Sequence, residues 1–257
     1  MTARTRNLTS RYVIPVLTSL MFSSCSGCHR SGQNRDSGRE RHRTEAAQEA
    51  SQESLVNATV PASDNANRHK MDGTEIFERY NKAVFMVYTS DGVSGFQGSG
   101  FFINSEGLAV SNYHVFAGTG QGLEQIKLAG NDNAYKVAEV IHCDEENDFI
   151  LFRVNVKSNK YIPIAQEKPK VGATVYAIGS PRGLENTLSD GKVSQWRDNA
   201  RTMMQISVQI DHGSSGGALI NEYGEVVGIT SGTFADGSQA NLNYAWSIDV
   251  VKPYLGQ

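Results

Sequence analysis

The sequence predicts an all-β barrel or sandwich, and three observations carry the prediction. From Ala83 onward the chain is a succession of short runs rich in β-branched and aromatic residues. Turn signals separate them, among them Ser105-Glu106-Gly107, Asp190-Gly191 and Glu222-Tyr223-Gly224. Twenty-five glycines stand against six prolines in 257 residues, which suits many turns better than a helical bundle. Apolar residues make up 39% of the chain, enough to build a core.

Thr74–Lys82 has a helical look, with Ile76, Phe77 and Tyr80 on one side. The strand-like runs that follow are Ala83–Thr89, Gly98–Ile103, Leu108–Ser111, Ala134–His142, Phe149–Val156 and Thr174–Ile178. They continue with Lys192–Trp196, Met203–Ile210, Gly217–Ile220, Glu225–Ser231 and Leu242–Ile248. Asp249–Gly256 is expected to form a short terminal helix. The span 74–257 is long enough for two small barrels packed together. No internal repeat interrupts it.

The residues ahead of this domain read differently. Arg4, Arg6 and Arg11 form a basic head without acids, and the apolar run Tyr12–Phe22 follows, then Ser23 and Ser24 before Cys25. This is the pattern of a secretory signal, and its apolar run is too short for a spanning helix. Leu20-Met21-Phe22-Ser23-Ser24-Cys25 resembles a bacterial lipobox, so Cys25 is the expected lipidation site, with ordinary cleavage near Ser24 as the alternative. Residues 1–25 are thus assigned to the signal. Residues 26–73 are assigned to a polar stalk: from His29 to Gly73 the only large apolar residues are Leu55, Val56, Val60 and Met71, too few to offset ordering entropy. Thr44–Ser54 has transient helical character at most. A lipid on Cys25 with such a stalk would tether the domain to a membrane in the cell envelope.

Charge and cysteine content exclude several functions. Residues 1–43 carry a net +6, whereas residues 44–257, with 16 basic and 25 acidic side chains, carry −9. A folded part of that sign is a poor nucleic-acid partner, because phosphate neutralisation needs a basic face. Three cysteines cannot staple a scaffold. Cys25-Ser26-Gly27-Cys28-His29 matches the attachment signature of a c-type haem, but the hydrophilic stretch after it offers no apolar pocket. Cys143 reads as a small buried hydrophobe. The six histidines and three cysteines show no other paired ligand spacing, so no metal and no cofactor are expected.

Gly213-Ser214-Ser215-Gly216-Gly217 is the most informative segment. A serine hydroxyl needs a base to take its proton, and the anion formed on attack needs donors already in place. Glycines allow the tight turn that exposes Oγ. The pentapeptide also fits G-x-S-x-G, the nucleophile elbow of α/β-hydrolases, whose order is Ser, acid, His; here no histidine follows Ser215. The order His, Asp, Ser remains. His114, in Ser111-Asn112-Tyr113-His114-Val115-Phe116, is the candidate base. Asp148, leading the apolar run Phe149–Phe152, is the candidate acid that fixes the imidazole tautomer. Taken singly each has a plain structural reading: a packed histidine, a turn-forming aspartate, a flexible Gly-Ser loop. Their combination in the required order is what points to catalysis.

At this point a family resemblance is visible. Gly98-Ser99-Gly100-Phe101-Phe102-Ile103, Ser111–Val115, Asp148–Val154, Ala177–Leu184, Thr187–Ser194, Gly213–Ile220 and Gly224–Ile229 resemble, in order, the catalytic domain of HtrA/Deg-type (trypsin-like) serine proteases. The resemblance implies two six-stranded β-barrels of the chymotrypsin type with the active site between them. It implies His114 as general base, Asp148 as its orienting partner and Ser215 as nucleophile, with the backbone N–H groups of Gly213, Ser214 and Ser215 lining the oxyanion hole.

Three departures stand out. The family usually reads Gly-Asn-Ser-Gly-Gly-Pro at the nucleophile, where this chain has Ser214 and Ala218, and Asp211-His212 stands where Asn-Pro is common. Family members normally carry PDZ domains after the protease, and none is expected within this sequence, which ends at Gln257. Trimers are usual in the resembling family, so a homo-oligomer is a further implication, although the expected helix ahead of the first barrel is short.

The substrate pocket is expected along Val208–His212, Thr230–Gly232 and Asn243–Trp246, and so at Val208, Gln209, Thr230, Ser231, Gly232, Asn243, Tyr244 and Ala245. Apart from Asp211 these segments offer no acid for a Lys or Arg side chain, and a medium aliphatic residue at P1 is the expectation. Tyr244 and Trp246 read as core packing, and His212 as a loop residue. The sequence thus describes an enzyme cleaving unfolded or extended proteins. Its rival is a catalytically silent protease fold used as a binding or chaperone module.

Overall fold

The computed structural model describes residues 69–120, 122–184, 186–233 and 242–256. The basic head, the apolar run, Cys25 and nearly all of the expected stalk lie outside these residues. So do residues 234–241.

The described chain opens on helix α1 (Gly73–Tyr80). Asp72 caps it: its carboxylate accepts from the Glu75 N–H, while the Glu75 carboxylate accepts from the Asp72 N–H, a reciprocal capping box. Ile76 and Tyr80 are buried, as the helical spacing requires, and a 3-10 turn at Asn81–Ala83 leads into the first strand.

Twelve strands form two closed barrels, so the choice between barrel and sandwich falls to the barrel. The first contains β1 (Val84–Ser90), β2 (Gly95–Phe102), β3 (Leu108–Ser111), β4 (Gln125–Leu128), β5 (Ala134–Asp144) and β6 (Phe149–Val154). They close in the order β1-β2-β3-β6-β5-β4. The second contains β7 (Thr174–Gly179), β8 (Thr187–Trp196), β9 (Met203–Ile206), β10 (Ala218–Asn221), β11 (Val226–Thr233) and β12 (Asn243–Ser247). Their order is β10-β11-β12-β9-β8-β7. Every neighbouring pair is antiparallel, and closure leaves no unpaired edge in either sheet.

The sequence pattern anticipates eleven of these strands and misses β4. Only Ile126 of its four residues is fully buried, so there is too little alternation to register. The expected short terminal helix is present as two consecutive 3-10 helices, Ile248–Val250 and Lys252–Tyr254. Pro253 has no N–H to give to Asp249, so one continuous α-helix would lose a bond there.

Each barrel has its own core. The first is filled by Phe85, Phe102, Phe116 and Phe152, with the Phe85 and Phe102 ring centroids 4.6 Å apart and Phe116 5.2 Å from Phe152. Gly100 makes room for this: a Cβ there would lie 2.5 Å from the Phe85 ring. Val175, Val193, Met204, Ile206, Leu219 and Val227 fill the second. A third cluster joins the barrels, with Ile76 and Tyr80 of α1, Phe101, Phe149, Ile178 and Ile229 among its members. A polar tie runs beside it: Asn186 Nδ2 donates to the carbonyls of Asn81 and Val84, and its Oδ1 accepts from Ser180 Oγ.

At one end of the cluster the His142 ring stacks on Tyr254, centroids 3.6 Å apart, with Phe149 5.7 Å away. Burial holds the imidazole below its ordinary value, and the Asp144 carboxylate only partly opposes this. The unfolded chain therefore takes up the proton at a higher pH than the native state, and stability is lost as pH falls below about 6.5. His142→Phe keeps the stack without the titration. Its melting temperature is expected to fall less than that of the wild type between about pH 7 and pH 5. Parallel pH dependences in a thermal-shift series would rule this source out.

Candidate active site

The two barrels each bring one half of a polar cluster. In the first barrel a one-turn helix, α2 (Tyr113–Phe116), follows β3. An N–H in a first helical turn has no partner within the helix, and that of His114 donates to Asp148 Oδ1 at 2.9 Å. Asn112, the residue before the helix, donates from Nδ2 to the Asp148 carbonyl at 2.8 Å. The segment carrying the histidine is thus stitched twice to the segment carrying the aspartate before their side chains meet. Those side chains do meet: His114 Nδ1 lies 2.9 Å from Oδ2 and 3.0 Å from Oδ1 of Asp148. Asp148 adopts a left-handed backbone (φ 47°), which aspartate tolerates better than most residues. The imidazole is half exposed (49%) and the carboxylate largely covered (16%).

The second barrel supplies the hydroxyls. Ser231, on β11, donates from Oγ to Asp148 Oδ2 at 2.9 Å, and its carbonyl accepts from Ser215 Oγ. One residue therefore links the acid to the candidate nucleophile across the barrel interface. The Ser215 hydroxyl points at that carbonyl, and its bond to His114 is not made in this conformation. Sequence reasoning placed Ser231 on the pocket wall; its hydroxyl is turned to the acid instead.

The loop carrying Ser215 turns through Gly213 (φ 94°) and Gly216 (φ 86°). Its N–H groups divide into two kinds. That of Ser214 is taken by the Asp211 carbonyl at 2.9 Å, closing a turn. Of the three expected oxyanion donors, Ser214 is therefore withdrawn. The N–H groups of Gly213 and Ser215 have no acceptor among the described residues and remain available. Gly216 is required twice over. Its backbone is left-handed, and a Cβ would fall 2.2 Å from the Ser99 carbonyl oxygen and 2.3 Å from Ser111 Oγ. Gly216→Ala is expected to cost about 3 kcal/mol in urea unfolding, overpacking and the left-handed backbone each contributing. An unchanged midpoint would mean the loop relaxes freely.

Beside this loop lies a cleft of about 650 Å³. Of the residues named for the pocket, Gln209, Ile210, Thr230 and Asn243 line this cleft, together with Leu184 and Leu188. The expected Val208 and Ala245 do not. Both are completely buried and point into the second barrel's core, Val208 sitting behind the wall with its carbonyl bonded by Asn243 Nδ2. Strand alternation along β12 puts Asn243 and Ala245 inward and leaves Tyr244 on the other face, opposite Gly232 at a bulge in β11; neither of these two lines the cleft. Asp211 does line it, but its carboxylate is engaged by the His212 N–H and by Arg182 Nε at 2.7 Å, and these hold it below the usual carboxylate range. His212 itself is an exposed loop residue whose carbonyl accepts from the Arg182 N–H at 2.7 Å.

Two closed six-stranded antiparallel barrels, with an imidazole–carboxylate pair from one facing a glycine-flanked serine from the other, define the trypsin-like class. The chain belongs to that family: the model of the trypsin-like peptidase domain matches residues 98–229. Among curated proteins it is 35% identical over 167 residues to a DegP-like periplasmic serine endoprotease of Halomonas elongata, covering 62% of this chain and 34% of that protein. It is 36% identical over 160 residues to a DegP-like periplasmic serine endoprotease of Pseudomonas putida, covering 60% and 33%. Protease Do-like 5, chloroplastic, of Arabidopsis thaliana is 32% identical over 182 residues, covering 62% and 56%. The chain thus spans about a third of the length of the bacterial relatives it matches. A crystal structure of the serine endoprotease from Yersinia pestis shares the fold, with a TM-score of 0.63 at 23% identity over 72% of this chain and 65% of that one.

Proposed function

We propose that this protein is a serine endopeptidase of the cell envelope that cleaves unfolded or extended protein segments. His114 is its general base, Asp148 the group that orients the base, and Ser215 its nucleophile. The observation that carries the reading is the His114 Nδ1–Asp148 Oδ2 contact of 2.9 Å, with Ser231 spanning from that carboxylate to the Ser215 hydroxyl. A carboxylate on Nδ1 keeps the proton there and leaves Nε2 free to accept one.

For the reaction, Ser215 Oγ leaves the Ser231 carbonyl by rotation about χ1 and turns to His114 Nε2. As Oγ attacks the scissile carbonyl carbon, Nε2 takes its proton and the charge on the carbonyl oxygen is met by the N–H groups of Gly213 and Ser215. The imidazolium then gives the proton to the departing amine, leaving an acyl-enzyme. Water, activated by the same imidazole, releases the acid and restores Ser215. The cleft wall of Leu184, Leu188 and Ile210 suits an aliphatic P1 side chain. Asp211 is already paired with Arg182 and offers little to a basic one.

Relatives named as periplasmic support an exported location, with the residues ahead of the domain acting as signal and stalk and Cys25 as a lipid anchor. The Ser215–Ser231 bond also favours a second reading, a silent module whose serine stays parked. Fluorescent casein separates the two. The peptidase hydrolyses it, and Ser215→Ala does not. A folded wild type that leaves casein intact, yet suppresses aggregation of a denatured client equally with or without Ser215, is the silent module.

A further inference from the structure

Ser99 sits on β2 between Gly98 and Gly100, fully buried, and every polar group it has is used. Its N–H donates to the Ser215 carbonyl at 2.8 Å, and its Oγ donates to the Gly213 carbonyl at 2.7 Å. The same Oγ accepts from the Ser180 N–H at 2.9 Å, and its carbonyl accepts from Ser111 Oγ at 2.7 Å. The direction of the hydroxyl is forced. An amide N–H can only donate, so the proton of Oγ must go to Gly213.

The consequence lies in which peptide unit is gripped. The Gly213–Ser214 peptide stands between the two units that carry the free N–H groups, His212–Gly213 on one side and Ser214–Ser215 on the other. Its own N–H is bonded to Asp211, and its carbonyl is held by Ser99. The outer units are held by other groups: the His212 carbonyl by the Arg182 N–H, and the Ser214 carbonyl by Thr230 Oγ1 at 2.7 Å. Ser180, which Ser99 also fixes, lies two residues before Arg182. Release of the middle unit would let both flanking N–H groups swing.

We propose that Ser99 is a positioning residue that sets the two oxyanion donors, acting through the Gly213 carbonyl and never touching substrate. The proposal rests on the peptidase reading above. A buried hydroxyl on a strand of the first barrel thereby fixes the geometry of a loop in the second, and the donors are aimed only when the barrels are correctly docked.

The test compares wild type, Ser99→Ala and Ser247→Ala. Ser247 is an equally buried serine that caps the C-terminal 3-10 turn. Steady-state hydrolysis of fluorescent casein and the inactivation rate with an alkyl fluorophosphonate, whose phosphoryl oxygen needs the same donors, are the readouts. For Ser99→Ala, kcat and the inactivation rate are expected to fall together by about 10- to 100-fold, with KM within about twofold. Ser247→Ala is expected to lower the melting temperature and leave both rates unchanged. If Ser99→Ala does not fold, Ser99→Cys replaces the hydroxyl by a weaker donor of similar shape, and the same paired loss is expected at smaller size. Wild-type kcat in a folded Ser99 variant, or a loss confined to KM, overturns the assignment while leaving the peptidase intact. A wild type inert to casein and fluorophosphonate alike overturns the peptidase reading, and the role of Ser99 falls with it.

Discussion

Ser215→Ala is expected to lower kcat for casein by about 10⁶-fold while the protein stays folded. The size follows from how the groups cooperate. In the proposed mechanism the imidazole of His114 and the N–H groups of Gly213 and Ser215 serve only an attacking oxygen, so without Oγ there is nothing for them to assist. What remains is the modest acceleration that backbone donors and substrate positioning give to water. Folding should suffer little, because the alanine loses one hydroxyl bond, to the Ser231 carbonyl, worth about 1 kcal/mol. Circular dichroism and progress curves on the same sample check both halves. Residual activity within a few tenfold of wild type would mean that another group is the nucleophile.

Asp148→Asn is expected to cost about 10⁴-fold in kcat. Three donors converge on the carboxylate: the His114 N–H, the protonated His114 Nδ1 and Ser231 Oγ. A carboxamide of the same shape has one oxygen to accept them and an NH₂ in place of the other. Where that NH₂ faces Nδ1, the imidazole must present a lone pair, which moves its own proton to Nε2. An Nε2–H cannot take the proton of Ser215, so the ring is held in place in the wrong tautomer. The effect should appear in kcat, with KM changed little. A variant as active as wild type would show that the ring orientation, and not its protonation, is all that Asp148 provides.

The parts of the fold that were readable from sequence are those where burial leaves a periodic trace. β1, β6 and β7 are runs of buried residues, and the helix before the first barrel shows its apolar side at Ile76 and Tyr80. Where burial is sparse the trace fails: β4 hides one residue, Ile126, and β8 begins at Thr187 among polar residues that leave no pattern. The candidate pair His114–Asp148 and the loop around Ser215 could be proposed because their residue types are rare in that order. Their supports could not. Ser231, Ser99, Ser111 and Thr230 look like ordinary strand serines and threonines, and their importance comes only from which carbonyl or carboxylate the folded chain brings to them, from the other barrel for Ser231 and Ser99 and from the same barrel for Ser111 and Thr230. The one local hint at Ser99 is its setting, a small polar residue between two glycines leading into Phe101 and Phe102. Ser214 fails as a donor for a similar reason, since its N–H closes a turn onto Asp211 that sequence alone does not reveal.

The central claim is that His114, braced by Asp148, activates the hydroxyl of Ser215. Intact-mass and peptide-mapping spectrometry after exposure to a fluorophosphonate measures this most directly. A single phosphonyl adduct is expected on Ser215, absent from Ser215→Ala and nearly absent from His114→Ala. An adduct that persists in Ser215→Ala, or a folded wild type that gains none at any pH, would contradict it.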